Sequence, residues 1–225
     1  QTRVLMELNE LLREDNIVAA SGSLPSDLER VWTARRPGAY HLEYGFSCMG
    51  YEVSGALGVK LADPEHEVYT FVGDGGFLMG HSDLLTSIQE GHKINVLLFN
   101  NSGHQCIHNL ERSQGMGTFG TEFRFREQST GGLTGGYVPV NYAKLASAYG
   151  VKTWRVTTLT ELHAAIEASK QSDVSTLIEI MVLPGTMTEG YENFWRVGTA
   201  SVAEKESVRK AYEKLNDVVK NLRKY

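Results

Sequence analysis

Apolar and polar positions follow one another along this chain in two patterns. Some stretches carry an apolar side chain every three or four residues, which predicts amphipathic helices, and others are short apolar runs typical of strands buried on both faces. In chain order these patterns predict a helix at 3–14, a strand at 17–20, helices at 25–32 and 51–62, a strand at 68–72, a helix that begins near 80–82, a strand at 94–99, a helix at 141–149, strands at 151–156 and 176–182 with a helix between them, and a C-terminal amphipathic helix. This alternation predicts an α/β fold, a doubly wound, mostly parallel sheet with helices on both faces.

Two parts of the chain depart from this alternation. Residues 102–139 contain eight glycines and three arginines but show little periodicity. A long stretch of this kind in a compact domain is usually a functional loop or lid. We expect the main domain to cover 1–200, and the amphipathic helix within 201–225 to pack on it through its apolar face.

Two of the predicted strands stop abruptly at polar residues. Gly73-Asp74-Gly75-Gly76 follows one strand, and Asn100-Asn101-Ser102-Gly103 follows the next. Ligands of doubly wound folds bind at the carboxyl ends of the strands, so both segments are expected at one site. The two glycines after Asp74 let a phosphate approach the backbone and offer it N–H groups, and the helix starting near 80–82 adds its positive end.

An aspartate at such a site repels a phosphate unless a cation lies between them. Mg²⁺ fits this role, because it takes oxygen ligands and is typically shared between a carboxylate and substrate phosphates. Asp74, the amide oxygen of Asn101 and the main-chain carbonyl of Gly103 are therefore the expected metal ligands. Read separately, the two segments would be only a tight turn and a strand end, and their spacing favours the site.

With 24 residues between Gly73-Asp74-Gly75 and Asn100-Asn101, this pattern resembles the signature of thiamine diphosphate enzymes, the family that includes acetolactate synthase and pyruvate decarboxylase. The resemblance covers nearly the whole chain and corresponds to the C-terminal, diphosphate-binding domain of that family. It implies the thiamine diphosphate-binding fold, with thiamine diphosphate and Mg²⁺ as cofactors.

The resemblance also assigns roles to individual residues. It places Met49 under the bent coenzyme and the Ser47 carbonyl beside the 4′-amino group, within the segment Gly45-Phe46-Ser47-Cys48-Met49-Gly50. The plainer interpretation of Met49 is a core methionine that fills a gap. The residues expected to contact the cofactor are Gly22, Ser23, Leu24, Ser47, Met49, Gly73, Asp74, Gly75, Gly76, Asn101, Gly103 and His104.

Two further segments, 40–52 and 187–198, look closest to a branch of the family that acts in inositol catabolism. The resemblance implies a hydrolase that opens a cyclic 1,2-dione by C–C cleavage, with the thiazolium as electron sink. Such a substrate is a neutral polyol, so hydrogen-bonding side chains should bind it. His104 and Gln105 are the candidates for a catalytic role, and Asn109 is a further candidate for substrate binding.

The same resemblance implies partners for this chain. Family members carry an N-terminal pyrimidine-binding domain, whose glutamate activates the coenzyme, and a middle domain. Neither fits into 225 residues. We therefore expect a C-terminal fragment that works with the N-terminal domains of its own polypeptide and lacks the activating carboxylate. The intact enzyme should be a homo-oligomer, a dimer or a tetramer.

Composition narrows the class of protein further. With 41% hydrophobic and 22% charged residues, the chain has the balance of an ordinary globular protein. No apolar run approaches the roughly 20 residues that span a bilayer, so no membrane partner is expected. A net charge of −5 gives no basic surface for nucleic acid. Two cysteines form no disulfide framework, which indicates a reducing compartment and a cytoplasmic location.

Three other interpretations stay open at this point. His104 and His108, with Cys106 between them, have the spacing of a zinc site but lack an obvious third ligand. A decarboxylase or carboligase acting on a 2-oxo acid would use the same cofactor, with Arg112 or Arg124 binding the substrate carboxylate. A non-catalytic binding module on the same fold is the third, although such a module has no use for the Asp74–Asn101 pair.

Overall fold

The computed structural model describes residues 1–186 and 198–222. The strands are β1 Asn16–Ala19, β2 Tyr40–Leu42, β3 Val68–Gly73, β4 Asn95–Asn100, β5 Lys152–Val156 and β6 Thr176–Met181. The helices are α1 Thr2–Leu11, α2 Ser23–Val31, α3 Tyr51–Ala62, α4 Asp74–Gly80, α5 Asp83–Glu90, α6 Gln105–Ser113, α7 Tyr142–Ser147, α8 Leu159–Lys170 and α9 Glu206–Lys220. The described strands form one parallel sheet in the spatial order β2-β1-β3-β4-β6-β5.

Helices cover both faces of this sheet, which confirms the doubly wound prediction. On one face, apolar residues of α1, α2 and α8 pack against the strands, and on the other those of α3, α4, α5 and α7 do so. β3 and β4 are buried on both faces, since a helix layer covers each side. The capping box predicted at the start of α8 is present between Thr158 and Glu161.

The strand order creates a crevice between β1 and β3. The chain passes from β1 outward to β2, and then returns to place β3 on the opposite side of β1. The loops that leave β1 and β3 therefore diverge at the carboxyl edge of the sheet. Doubly wound folds bind their ligands at such a point.

The structure corrects three local predictions. A short helix, α4, begins at Asp74 directly after β3, so the helix expected from 80–82 is the following one, α5, and residues 80–83 do not line the cleft described below. Residues 105–113 of the expected lid form α6. The short edge strand β2 was missed, because three residues carry no usable periodicity.

The C-terminal helix α9 is present and makes few contacts with the rest of the described chain. Of its residues, Val208 is buried, and the Ser207 hydroxyl donates to the Gly115 carbonyl at 2.6 Å. Most of segment 187–198, which carried part of the resemblance, lies outside the described residues. None of the described helices is long and apolar enough to cross a membrane.

Candidate functional site

A cleft of about 260 Å³ opens at the carboxyl ends of β1, β3 and β4. Of the twelve residues predicted to contact a cofactor, all but Asp74 line it. They come from the loop after β1, the loop before α3, the start of α4 and the loop after β4. The lining residues that the sequence did not predict as cofactor contacts are Gln1, Ser21, Phe99, Gln105, Cys106, Ile107 and Leu110.

Asp74 is fully buried at the junction of β3 and α4. Its Oδ1 accepts from the Gly75 N–H and its Oδ2 from the Gly103 N–H, both at 3.0 Å. Burial raises the pKa of this carboxyl to about 7, although these N–H groups oppose the shift. The Gly75 N–H is therefore directed to Asp74, which corrects the expectation that it faces a phosphate. A buried carboxylate of this kind is stabilised by a cation.

Asn101 brings its amide against two oxygen atoms. One terminal atom of this amide lies 3.1 Å from Asp74 Oδ1 and 2.9 Å from the Gly103 carbonyl oxygen. With nitrogen at that position, the amide donates to both. With oxygen there, that oxygen lies from each of the other two at about the 2.9 Å spacing of adjacent ligands in octahedral Mg²⁺. The donor set predicted from the sequence therefore fits Mg²⁺.

The loop that carries Asn101 and Gly103 is held on both sides. Asn100, at the end of β4, donates to the buried Glu179 carboxylate at 2.7 Å and accepts from the Ser102 N–H at 3.2 Å. Ser102 adopts a left-handed conformation with φ of 62°. A Cβ atom at Gly103, where φ is 156°, would lie 2.5 Å from the Thr121 carbonyl oxygen. The backbone of Thr121 and Glu122 therefore requires glycine at position 103.

His104 packs into space that Gly75 leaves free. Its Nδ1 lies 2.3 Å from the position that a Cβ atom on residue 75 would occupy. The ring meets Phe123 of the lid edge-on, with 5.4 Å between centroids. Among the described residues, the buried Nδ1 has no hydrogen-bond partner. A larger residue at 75 would displace the imidazole from the cleft.

The loop before α3 is shaped by Glu43. Its carboxylate accepts from the Phe46 N–H at 3.1 Å and the Cys48 N–H at 2.8 Å, and bonds to Cys48 and Phe46 hold its pKa below the usual value. These bonds support a positive φ of 53° at Ser47. Met49 is half-buried and lines the cleft. That position does not match the alternative of a methionine buried in the core.

Other candidates are engaged elsewhere or lie off the cleft. Gln105 donates to the Asn101 carbonyl at 3.2 Å and accepts from the Gly185 N–H at 2.9 Å, so both ends of its amide have partners. Neither Asn109 nor Arg112 lines the cleft. Arg124 bonds to Glu122 at 3.0 Å and stacks on Tyr137.

The zinc interpretation finds no support in the described residues. His108 lies with Nδ1 3.5 Å from the Thr121 hydroxyl. Across the same described ranges, no group of three or more His, Cys, Asp or Glu side chains is placed to hold a metal ion.

Comparisons with known proteins agree with this geometry. The family model "Thiamine pyrophosphate enzyme, C-terminal TPP binding domain" matches residues 20–180; thiamine pyrophosphate is another name for thiamine diphosphate. The Rhodococcus jostii RHA1 thiamine diphosphate-dependent 4-hydroxybenzoylformate decarboxylase superposes with a TM-score of 0.66 and 21% identity, over 82% of this chain and 33% of the solved one. At that identity, the likeness supports the fold alone.

Two curated relatives align over the whole chain. The 3D-(3,5/4)-trihydroxycyclohexane-1,2-dione hydrolase 2 of Bacillus cereus is 56% identical over 225 residues, which is 100% of this chain and 34% of the relative. The 3D-(3,5/4)-trihydroxycyclohexane-1,2-dione hydrolase of Clostridium tetani is 57% identical, over 100% of this chain and 35% of the relative. The chain thus spans about a third of the length of these proteins.

Proposed function

The chain belongs to the thiamine pyrophosphate enzymes, and from this premise we propose that it holds the diphosphate end of thiamine diphosphate through Mg²⁺. Asp74, the Asn101 amide oxygen and the Gly103 carbonyl would hold the ion. The single observation that carries this proposal is the approach of the Asn101 amide to Asp74 Oδ1 and to the Gly103 carbonyl, at 3.1 Å and 2.9 Å. We also propose that residues 1–200 form the cofactor-binding domain and that the helix within 201–225 packs on it.

Each remaining wall of the cleft has a role in this proposal. Gly22, Ser23 and Leu24 face the diphosphate, together with Gly76. Ser47 and Met49 orient the rings of the cofactor, and the left-handed Ser47 sets the direction of its own carbonyl. When bound, thiamine diphosphate supplies a thiazolium that accepts the electron pair of a breaking bond.

For the intact polypeptide, we propose hydrolytic C–C cleavage of trihydroxycyclohexane-1,2-dione, which opens the ring to 5-deoxyglucuronate. The support is 56% and 57% identity, over the whole chain, to relatives named for hydrolysis of this dione. A neutral polyol needs hydrogen-bonding groups, and His104 lines the cleft. Gln105 lines it as well, although both ends of its amide already have partners within the chain. The alternative, a 2-oxo acid decarboxylase or carboligase, is less favoured, because Arg124 is engaged with Glu122 and Arg112 does not line the cleft.

The rest of the site is expected from the preceding part of the polypeptide. The relatives that align with the whole chain are about three times as long, which leaves room for further domains beside the cleft. We propose that N-terminal domains of the same polypeptide supply the remaining walls of the site and the activating carboxylate. A homo-oligomer and a cytoplasmic location are likewise proposals.

Calorimetric titration of the full-length polypeptide with thiamine diphosphate tests the first proposal. Binding should require Mg²⁺ and should be lost in Asp74→Ala, because that change removes the carboxylate of the metal set. Unchanged affinity in Asp74→Ala would reject the metal assignment. Product analysis of the full-length polypeptide tests the second, since ring opening without carbon dioxide release is expected, and carbon dioxide release would favour the alternative.

A further inference from the structure

Glu52 is a buried carboxylate beside the cleft to which the proposed function assigns no role. It lies in the first turn of α3 and its side chain is 1% exposed. Ser21 and Met49 line the cleft, but Glu52 does not. Burying a carboxylate is costly unless each of its oxygens accepts hydrogen bonds, so its partners indicate what it holds in place.

The two oxygens of Glu52 reach two different loops. Oε1 accepts from the Ser21 hydroxyl at 2.7 Å and from the Ser21 N–H at 3.3 Å. Oε2 accepts from the Gly50 N–H at 2.9 Å. Ser21 leaves β1 and leads directly into Gly22, whereas Gly50 follows Met49. The carboxylate therefore bridges the loop proposed to contact the diphosphate and the loop proposed to contact the rings.

The start of α4 lies against the same carboxylate. A Cβ atom at Gly76 would lie 3.5 Å from Oε1 of Glu52. On the opposite side, the main-chain carbonyl of Glu52 accepts from the Thr70 hydroxyl of β3 at 2.9 Å. Glu52 is thus fixed to the sheet by its backbone while its side chain meets three cleft-forming segments.

We infer that Glu52 is a positioning residue that sets the loop after β1 and the Met49 loop at the separation one thiamine diphosphate molecule spans. This inference rests on the proposed function. A ligand that contacts both loops should bind less tightly when the bridge is lost. Side chains that orient metal ligands without touching the metal typically change metal affinity by about 10-fold to 100-fold when they are replaced, and we expect an effect of the same scale here.

A glutamine at this position can replace only part of the bridge. Its amide has one acceptor oxygen, so either the Gly50 N–H or the Ser21 N–H faces an NH₂ group and loses its bond. Alanine removes all three bonds. Loss of affinity should therefore increase from glutamine to alanine, with the glutamine variant partly rescued.

Asp63 offers a matched control at the other end of the same helix and strand. It is the residue that caps the C-terminus of α3, and its carboxylate accepts from the Asn16 amide of β1 at 2.9 Å and from Arg36 at 3.3 Å. Like Glu52, it ties α3 to β1, but at the edge of the sheet away from the cleft. Its loss should cost stability without moving the cleft loops.

The experiment measures dissociation constants in the full-length polypeptide at saturating Mg²⁺, for thiamine diphosphate and for inorganic diphosphate, and records the unfolding midpoint of each variant. Glu52→Ala should weaken thiamine diphosphate by at least about tenfold. Inorganic diphosphate should lose less affinity, because it makes no contact with the Met49 loop. Asp63→Ala should leave both constants within about threefold of wild type, whatever it does to the midpoint.

Two results would overturn the inference. One is affinity for thiamine diphosphate within about threefold of wild type in both Glu52→Gln and Glu52→Ala. The other is a loss in Asp63→Ala as large as that in Glu52→Ala, which would make the effect one of general stability. If Glu52→Ala does not fold, Glu52→Gln compared with Asp63→Asn decides by the same criteria. Full-length wild-type polypeptide that binds no thiamine diphosphate at saturating Mg²⁺ would reject the proposed function itself, whereas binding that ignores Glu52 rejects this inference alone.

Discussion

Replacing Asp74 with asparagine should make the metal-free protein more resistant to unfolding at alkaline pH, while removing its response to Mg²⁺. Burial raises the pKa of Asp74 from 3.8 to about 7, so ionisation of this carboxyl opposes folding when no cation is bound. A group whose pKa is raised in the folded state stabilises the fold at low pH. That contribution is lost as the pH rises towards the folded-state pKa of about 7.

The size of the effect follows from these two pKa values. Each pKa unit corresponds to about 1.4 kcal/mol, and integration from pH 5 to pH 8 gives a loss of about 3 kcal/mol for wild type relative to Asp74→Asn. The asparagine has one acceptor oxygen for two donors, the N–H groups of Gly75 and Gly103, so it forfeits one hydrogen bond at a cost of about 1–3 kcal/mol. That cost is independent of pH and leaves the slope unchanged.

Urea unfolding of both proteins in EDTA, at several pH values from 5 to 8, measures this slope. The free energy of unfolding of wild type minus that of Asp74→Asn should fall mainly between pH 5 and pH 7 and should level off above the folded-state pKa of about 7. Adding Mg²⁺ with thiamine diphosphate at pH 8 should stabilise wild type and leave the variant unchanged. A difference that varies by less than about 1 kcal/mol over the range would refute the claim that ionisation of the buried Asp74 carboxyl opposes folding.

Three other substitutions or preparations test the site. Met49→Leu should lower the free energy of unfolding by less than about 1.5 kcal/mol, and Met49→Ala should weaken thiamine diphosphate binding beyond its effect on the unfolding midpoint; parallel losses of both would make Met49 a core residue. Gly103→Ala should weaken Mg²⁺ binding in calorimetry, because the new Cβ would lie 2.5 Å from the Thr121 carbonyl oxygen. Gly117→Ala, which has open space around it, should not. Equal affinity in both variants would contradict the close approach of the Thr121 backbone to Gly103. The isolated chain saturated with both cofactors should turn over the dione far more slowly than the full-length polypeptide, since an activating acid–base group contributes about 10²–10⁴-fold; rates within about tenfold would mean that the site is already complete.

The fold and the meeting of Asp74 with Asn101 were predictable because both rest on local patterns. Buried strands of a parallel sheet are continuous apolar runs, and polar residues that end such a run must lie at the edge of the sheet. That reasoning brought Asp74 and Asn101 together from the sequence alone. The same reasoning did not predict α4, because this helix starts directly at the end of β3 and no loop of distinctive composition separates the two.

Long-range hydrogen bonds account for what the sequence did not reveal. Glu52 bonds to Ser21 across 31 positions, and Asn100 bonds to Glu179 across 79, so neither pair has a spacing that a local pattern can detect. The lid was expected to be irregular, but Gly103 pairs with Glu122 in an antiparallel bridge. Such pairings depend on the whole fold, which is why glycine content indicated a loop there and nothing more.

In the proposed site, the geometry of Asp74, Asn101 and Gly103 also explains why metal and diphosphate should depend on each other for binding. Asp74, Asn101 and Gly103 offer three oxygens, about half of the six that Mg²⁺ requires. Phosphate oxygens or water must supply the remainder, and phosphate oxygens add charge attraction that water lacks. By thermodynamic reciprocity, each ligand then raises the affinity of the other by the same factor. A buried aspartate that ionises reluctantly without a cation strengthens this coupling, because Mg²⁺ alone must displace its proton near neutral pH, whereas Mg²⁺ arriving with a diphosphate gains the further oxygens that offset that cost.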